Sequence, residues 1–158
     1  MWARVLRGGV AGAAGTTALN AVTYLDMTLR GRGTSSTPER SVEKLADVAG
    51  VDVPGDEEGT RLNRVSGLGA LLGVVTGVTV GAGYAVVDEL TDGALERLPI
   101  AAGGLLVATV ALLGANGPMV ALGITDPRDW SPADWVSDLV PHLAYGLVLA
   151  FTYRATSR

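Results

Sequence analysis

The chain carries a single histidine, His142, with Asp138 at i−4 and Tyr145 at i+3, so three side chains with proton chemistry share one side of a helix. Such a set can hold or pass a proton, bind a small polar solute, or tie helices together by hydrogen bonds. Haem ligation by His142 is a further possibility, but it would need a second axial ligand from elsewhere, such as another copy of the chain. Other polar residues gather on the same side if the helices thread antiparallel: Asn20, Tyr24 and Asp26, then Asn63 and Arg64, then Asn116. His142 follows Pro132 by about 15 Å of helix, which puts it near the centre of a bilayer, where an ionisable group is costly and is a functional hypothesis by default. Asn20, Asp26, Asn116, Asp138, His142 and Tyr145 are the candidate lining of a polar cavity.

The composition says what kind of element must position these residues. Of 158 residues, 48% are hydrophobic and 18% charged, the aromatics are few, and Ala, Val and Leu stand among 22 glycines. That mixture suits membrane helices better than a soluble core. With no cysteine, disulfides, iron–sulfur clusters and thiolate zinc sites are excluded, and one histidine excludes a two-histidine metal motif within one chain. A net charge of −4 argues against a nucleic-acid partner. Lys44 follows no glycine-rich loop, Gly67-Leu68-Gly69 and Gly81-Ala82-Gly83 lack a third glycine and a preceding strand, and no serine stands in a nucleophile elbow. The sequence therefore predicts no catalytic residue, metal or cofactor.

Val65 to Val87 and Pro99 to Ile124 are uncharged runs of 23 and 26 residues, each long enough to cross about 30 Å of hydrocarbon. The acidic stretch between them, with Gly93 at a turn position, makes these two spans a tight antiparallel hairpin. Gly8 to Leu25 is also uncharged, but Thr16, Thr17, Asn20 and Thr23 dilute it, so it inserts only against partner helices that take up those groups. A signal peptide is the other reading of that stretch, since Arg4 and Arg7 precede it; glycine dilution and the lack of a small-x-small cleavage site argue against it. The last span starts at Ser131-Pro132-Ala133-Asp134, a cap, a first-turn proline and a capping acid, and runs to about Tyr153. Trp130 and Trp135 at one end, and Tyr153 with Arg154 at the other, suit the two water interfaces. The expected spans are about 5–28, 65–87, 99–123 and 132–154 of one membrane domain.

Residues 30–63 form a polar loop in which Thr37-Pro38-Glu39 opens a short helix. Val42, Leu45, Ala46 and Ala49 form its apolar stripe, and Gly50 stops it. Too short to stand alone, it must rest on the span ends, the membrane surface or a partner. Pro118 and Pro141 remove hydrogen bonds from the third and fourth spans, and Gly114 to Pro118 is the expected place for a kink or unwinding.

Small residues recur every fourth position: Gly69, Gly73, Gly77 and Gly81 in the second span, Gly8, Gly12, Thr16 and Asn20 in the first, His142, Gly146 and Ala150 in the fourth. Rows like these let helix backbones approach closely in lipid, whether within one chain or between copies. Three rows in one small chain predict surplus groove, and hence a homo-oligomer or a larger membrane complex. Basic residues number seven in the first and third loops and five in the termini and second loop, which leaves orientation open under a rule that counts only Lys and Arg. The purely basic leading flank of the first span points to cytoplasmic termini in an inner, plasma-type membrane.

The run Ala11 to Asn20, then Thr23-Tyr24-Leu25-Asp26-Met27 and Ser35-Ser36-Thr37-Pro38-Glu39, resembles small integral membrane proteins of actinobacteria. Asn116-Gly117-Pro118-Met119, Thr125-Asp126-Pro127-Arg128 and Pro141-His142-Leu143-Ala144-Tyr145-Gly146 extend the resemblance over most of the chain. It implies a membrane location and transfers no activity. The expected fold is an all-α membrane protein of four transmembrane helices with a short amphipathic helix in the first long loop. Two functions remain open: a non-catalytic assembly or interaction module packed through glycine-rich faces, or a small channel or transporter-like protein whose polar cavity binds or passes a solute or protons.

Overall fold

Uninterrupted apolar runs of this length favour helix in spite of β-branched stretches such as Val74 to Val80, because helices satisfy their own backbone where water is absent. The structure, a computed structural model, describes residues 1–157, and among these it is helical with no strand. Six α-helices follow in order: α1 (Trp2–Arg30), α2 (Thr37–Ala49), α3 (Glu58–Leu90), α4 (Ala94–Arg97), α5 (Ile100–Ala121) and α6 (Pro132–Ala155). A single 3-10 turn, Pro127–Asp129, precedes α6. Three helices, α3, α5 and α6, are long and apolar enough to cross a membrane. α1 has the length, but Thr16, Thr17, Asn20 and Thr23 hold it below the others in apolarity.

Local signals set most of the boundaries. Ser131 accepts from the Asp134 N–H while the Asp134 carboxylate accepts from the Ser131 N–H, a reciprocal cap that starts α6 where the sequence places it. Gly50 ends α2 in the left-handed conformation, with φ of 66°. Asp126 caps the 3-10 turn, accepting from the backbone of Arg128, whose guanidinium also holds the Asp126 carboxyl down to about 2. Because that value lies below the ordinary carboxylate range, the pair contributes above about pH 4 and fades as pH falls towards 2. Asp126→Asn is expected to leave the neutral-pH melting curve nearly unchanged, since the pair is exposed and solvent-screened.

α3 begins at Glu58, ahead of the uncharged run that opens at Val65; Arg61 in these added turns reaches Glu43 of α2, and Ser66, just inside the run, reaches Glu39. Two expectations are corrected. α5 runs unbroken through Pro118, and α6 through Pro141, so neither proline unwinds its helix. α3 and α5 do not run side by side as a tight hairpin. They meet only slightly, where Tyr84 approaches Gly103, and the intervening turn is widened by α4 after Asp92 and Gly93, both at positive φ.

The helices instead pack in the spatial order α3, α1, α6, α5. α1 lies antiparallel on α3, and close approach is the reason for the glycines: a Cβ on Gly12 would strike the Gly77 carbonyl and come within 3.1 Å of Val78 Cα. One on Gly8 would meet the Gly81 carbonyl and, at 2.6 Å, Ala85 Cβ. α5 and α6 meet in the same way: a Cβ on Gly146 would strike the Gly104 carbonyl and stand 2.7 Å from the Ala108 nitrogen. α2 lies against the start of α3, its Pro38 within 3.0 Å of a Cβ on Gly69, with Ser41 and Val42 buried and Leu45 and Val48 left exposed. The core is formed by Ala11, Tyr84, Ala85, Val107, Ala111, Tyr145, Leu149 and Tyr153. Outward, Leu71, Val75, Leu105, Leu113 and Phe151 are exposed along α3, α5 and α6, as lipid-facing surfaces require.

Candidate functional site

α6 places Asp138 and His142 one turn apart, and α5 brings Asn116 against them. Asn116 Nδ2 donates to Asp138 Oδ2 at 2.7 Å, which joins the two helices below their ends. His142 Nδ1 lies 2.8 Å from the Asp138 main-chain oxygen and 3.4 Å from its carboxylate Oδ1. A carbonyl oxygen only accepts, so Nδ1 carries the proton in this geometry. Of the six residues expected to line a cavity, these three meet; the others do not join them.

Asp26 forms a separate group at the end of α1. It accepts from Arg30 and Arg32 at 2.6 Å each and from Ser137 of α6 at 3.2 Å. Asn20 is half-buried on α1 and, among the described residues, bonds to neither Asp138 nor His142. Tyr145 is fully enclosed and turns away from His142. Its ring passes the bare backbone of Gly15, and its hydroxyl donates to the Gly77 carbonyl at 2.6 Å, so one tyrosine spans α6, α1 and α3. Tyr24 is exposed, and Arg64 holds the Pro54 carbonyl in the linker. Among the expected packing residues, Gly69, Gly77, Gly81 and Gly146 are buried at helix contacts, whereas Gly73 faces open space with nothing within 4 Å of a Cβ there.

A second cluster, at the opposite end of the bundle, is larger and was not anticipated. Asp88 near the end of α3 is completely buried: its Oδ1 accepts from the Glu96 N–H at 2.9 Å and its Oδ2 from the Tyr153 hydroxyl at 3.2 Å. The Tyr153 ring is edge-on to Tyr84 at 5.2 Å, and the Arg7 guanidinium lies over it at 4.0 Å. Arg7 also pairs with Glu96 at 3.2 Å, Arg4 with Glu89 at 2.7 Å, Arg154 donates to the Glu96 and Leu98 carbonyls, and Tyr84 to that of Leu95. No family model, curated protein or solved structure matches this chain. What the cluster can do is therefore read from its own geometry. The Asp88 carboxylate ties α3 directly to α4 and α6, α1 joins through Arg7 on Tyr153 and Glu96, and both carboxylate oxygens of Asp88 are occupied by the chain itself.

By sequence Asp88 belongs to the acidic stretch between the second and third spans and Tyr153 to a water interface, and both are buried. A signal was present: Tyr84 and Asp88 are four residues apart and continue the face that carries Gly77 and Gly81. A charge that extends a packing face points inward. Trp130 and Trp135, in contrast, form an edge-on pair at 5.0 Å, with Trp130 donating to Thr125 and Trp135 partly exposed, as an interfacial pair would be. Among the described residues, no three acidic or histidine side chains converge so as to hold a metal ion. Two shallow grooves mark the surface, one along the start of α1 and one between α2 and the turn after α5; neither is lined by His142, Asp138 or Asn116.

Proposed function

We propose that this chain is a four-span membrane bundle acting as a non-catalytic assembly module. One observation carries the reading: Asn116, Asp138 and His142, and Asp88 with Tyr153, bond to one another and to the main chain and line neither surface groove, while the outward faces stay apolar. α1 serves as the fourth span because α3 and α6 flank it and its buried Thr16 hydroxyl is satisfied by the Gly12 carbonyl. All of the long glycine row but Gly73 is occupied inside the chain, so association uses what the rows leave. On α5, Gly114 and Gly117 face open space beside the exposed Leu106, Val110 and Leu113, a surface on which another helix can approach closely.

Oligomer size measured by single-molecule photobleaching in bilayers tests this. The wild type is expected to exceed one chain, and Gly117→Leu is expected to reduce it to one without lowering thermal stability. A wild type that stays monomeric at high protein-to-lipid ratio removes the self-association form of the reading. Proteoliposomes decide the competing function: solute or proton flux above empty vesicles, abolished in His142→Ala, would replace the assembly module with a transporter. For stability, His142→Ala is expected to cost about 1 kcal/mol, because it removes one hydrogen bond to a carbonyl. Chemical unfolding in mixed micelles measures it.

A further inference from the structure

We infer that the groove along the start of α1 is a binding site for one anionic phospholipid, with its phosphate on Arg4 and Arg7. The groove encloses about 380 Å³ between α1 and the end of α6 and is lined by Ala3, Arg4, Leu6, Arg7, Val10 and Thr156. Ala3, Leu6 and Val10 recur at i, i+3 and i+7, so they form an apolar track of about 10 Å along the helix, the shape of part of an acyl chain. Arg4 and Arg7 stand one turn apart beside that track, and the exposed Trp2 at the tip of α1 marks the headgroup level. The lipid thus finds hydrocarbon contact and cationic donors in the order in which it presents tail and phosphate.

Charge complementarity selects the headgroup. The groove wall holds two guanidiniums and no carboxylate; their partners Glu89 and Glu96 stand behind it on α3 and α4 and do not line it. Arg4 engages Glu89 through Nη1 alone and is about half exposed, which leaves its other N–H groups for phosphate oxygens, with the charge of the more buried Arg7 beside it. Met1 lends α1 no side-chain cap and its first turn has no acid, so the positive end of the helix dipole adds to the same field. A choline headgroup would bring a further cation against the two arginines. The second groove, beside α2, mixes Arg40 and Lys44 with Glu43 and Asp47 and has no such preference.

The inference rests on the membrane location and not on the assembly reading. Native mass spectrometry of the purified full chain, titrated with phosphatidylglycerol or phosphatidylcholine, tests it. One phosphatidylglycerol is expected to be retained with about tenfold preference, the order that one charge-assisted hydrogen bond supplies. Arg4→Gln, which removes a donor, and Val10→Trp, which fills the track from an exposed position, should each abolish most of that preference, while Arg128→Gln at the far end should not. Arg7 is left intact because it also holds Tyr153 and Glu96. Equal retention of the two lipids, or a preference that survives both groove variants, overturns the site. Competition by millimolar inorganic phosphate that is as effective as the lipid itself overturns the lipid as occupant.

Discussion

Asp88→Ala is expected to destabilise the bundle by about 3 kcal/mol, the largest effect of any single polar substitution in the chain. The carboxylate is fully buried, and its removal strands two donors at once, the Tyr153 hydroxyl and the Glu96 N–H. Each unsatisfied buried donor costs about 1–3 kcal/mol, whereas a hydrogen bond that is simply exchanged for one to water costs much less. The loss spreads, because Tyr153 is also the platform for Arg7 and the edge-on partner of Tyr84, and Glu96 is the ion partner of Arg7. Asp88→Asn separates lost bonds from lost shape. Its amide oxygen can still accept from Glu96 and its NH₂ can donate to the Tyr153 oxygen, so recovery to within about 1 kcal/mol of wild type is expected. Unfolding in mixed micelles, followed by far-UV circular dichroism, measures both variants. If Asp88→Ala melts with wild type, the cluster does not fasten the end of the bundle.

Gly81→Leu is expected to separate α1 from α3, at a cost of about 3 kcal/mol or more, because the added side chain has nowhere to go. A Cβ at that position would strike the Gly8 carbonyl and stand 2.7 Å from Gly12 Cα, and these are backbone atoms that cannot rotate aside. Gly73→Leu is the internal comparison. It belongs to the same every-fourth-residue row, yet it meets nothing within 4 Å, so its effect should stay within about 1 kcal/mol and could be favourable through helix propensity. A cysteine pair across the α1–α3 seam should crosslink readily in Gly73→Leu and poorly in Gly81→Leu. Equal sensitivity at the two positions would mean that the row acts as a generic small-residue pattern and not through this seam.

The contrast between Gly73 and Gly81 shows how far sequence reaches. Periodicity identifies a bare face, but it does not say which stretch of that face a partner covers. α2 covers Gly69, α1 covers Gly77 and Gly81, and Gly73 falls between them. The polar candidates divide in the same way. Asn116 and Asp138 meet at one depth, a quantity that follows from residue count along each helix. Depth says nothing about azimuth, and azimuth sends Tyr145 towards Gly77 and Asp26 towards Ser137.

What the sequence determined by itself is therefore everything that depends on near neighbours and composition. The helical class, the three strongly apolar helices, the short α2 ended by Gly50 and the reciprocal cap of α6 all follow from residues within a few positions of one another. Only the tertiary structure decided that α1 and α6 separate α3 from α5, that the glycine rows face each other within one chain, and that Asp88 is buried beneath Tyr153. Those contacts join residues some 65 positions apart, and they depend on how each helix is rotated against its neighbours, a quantity that no single helix encodes.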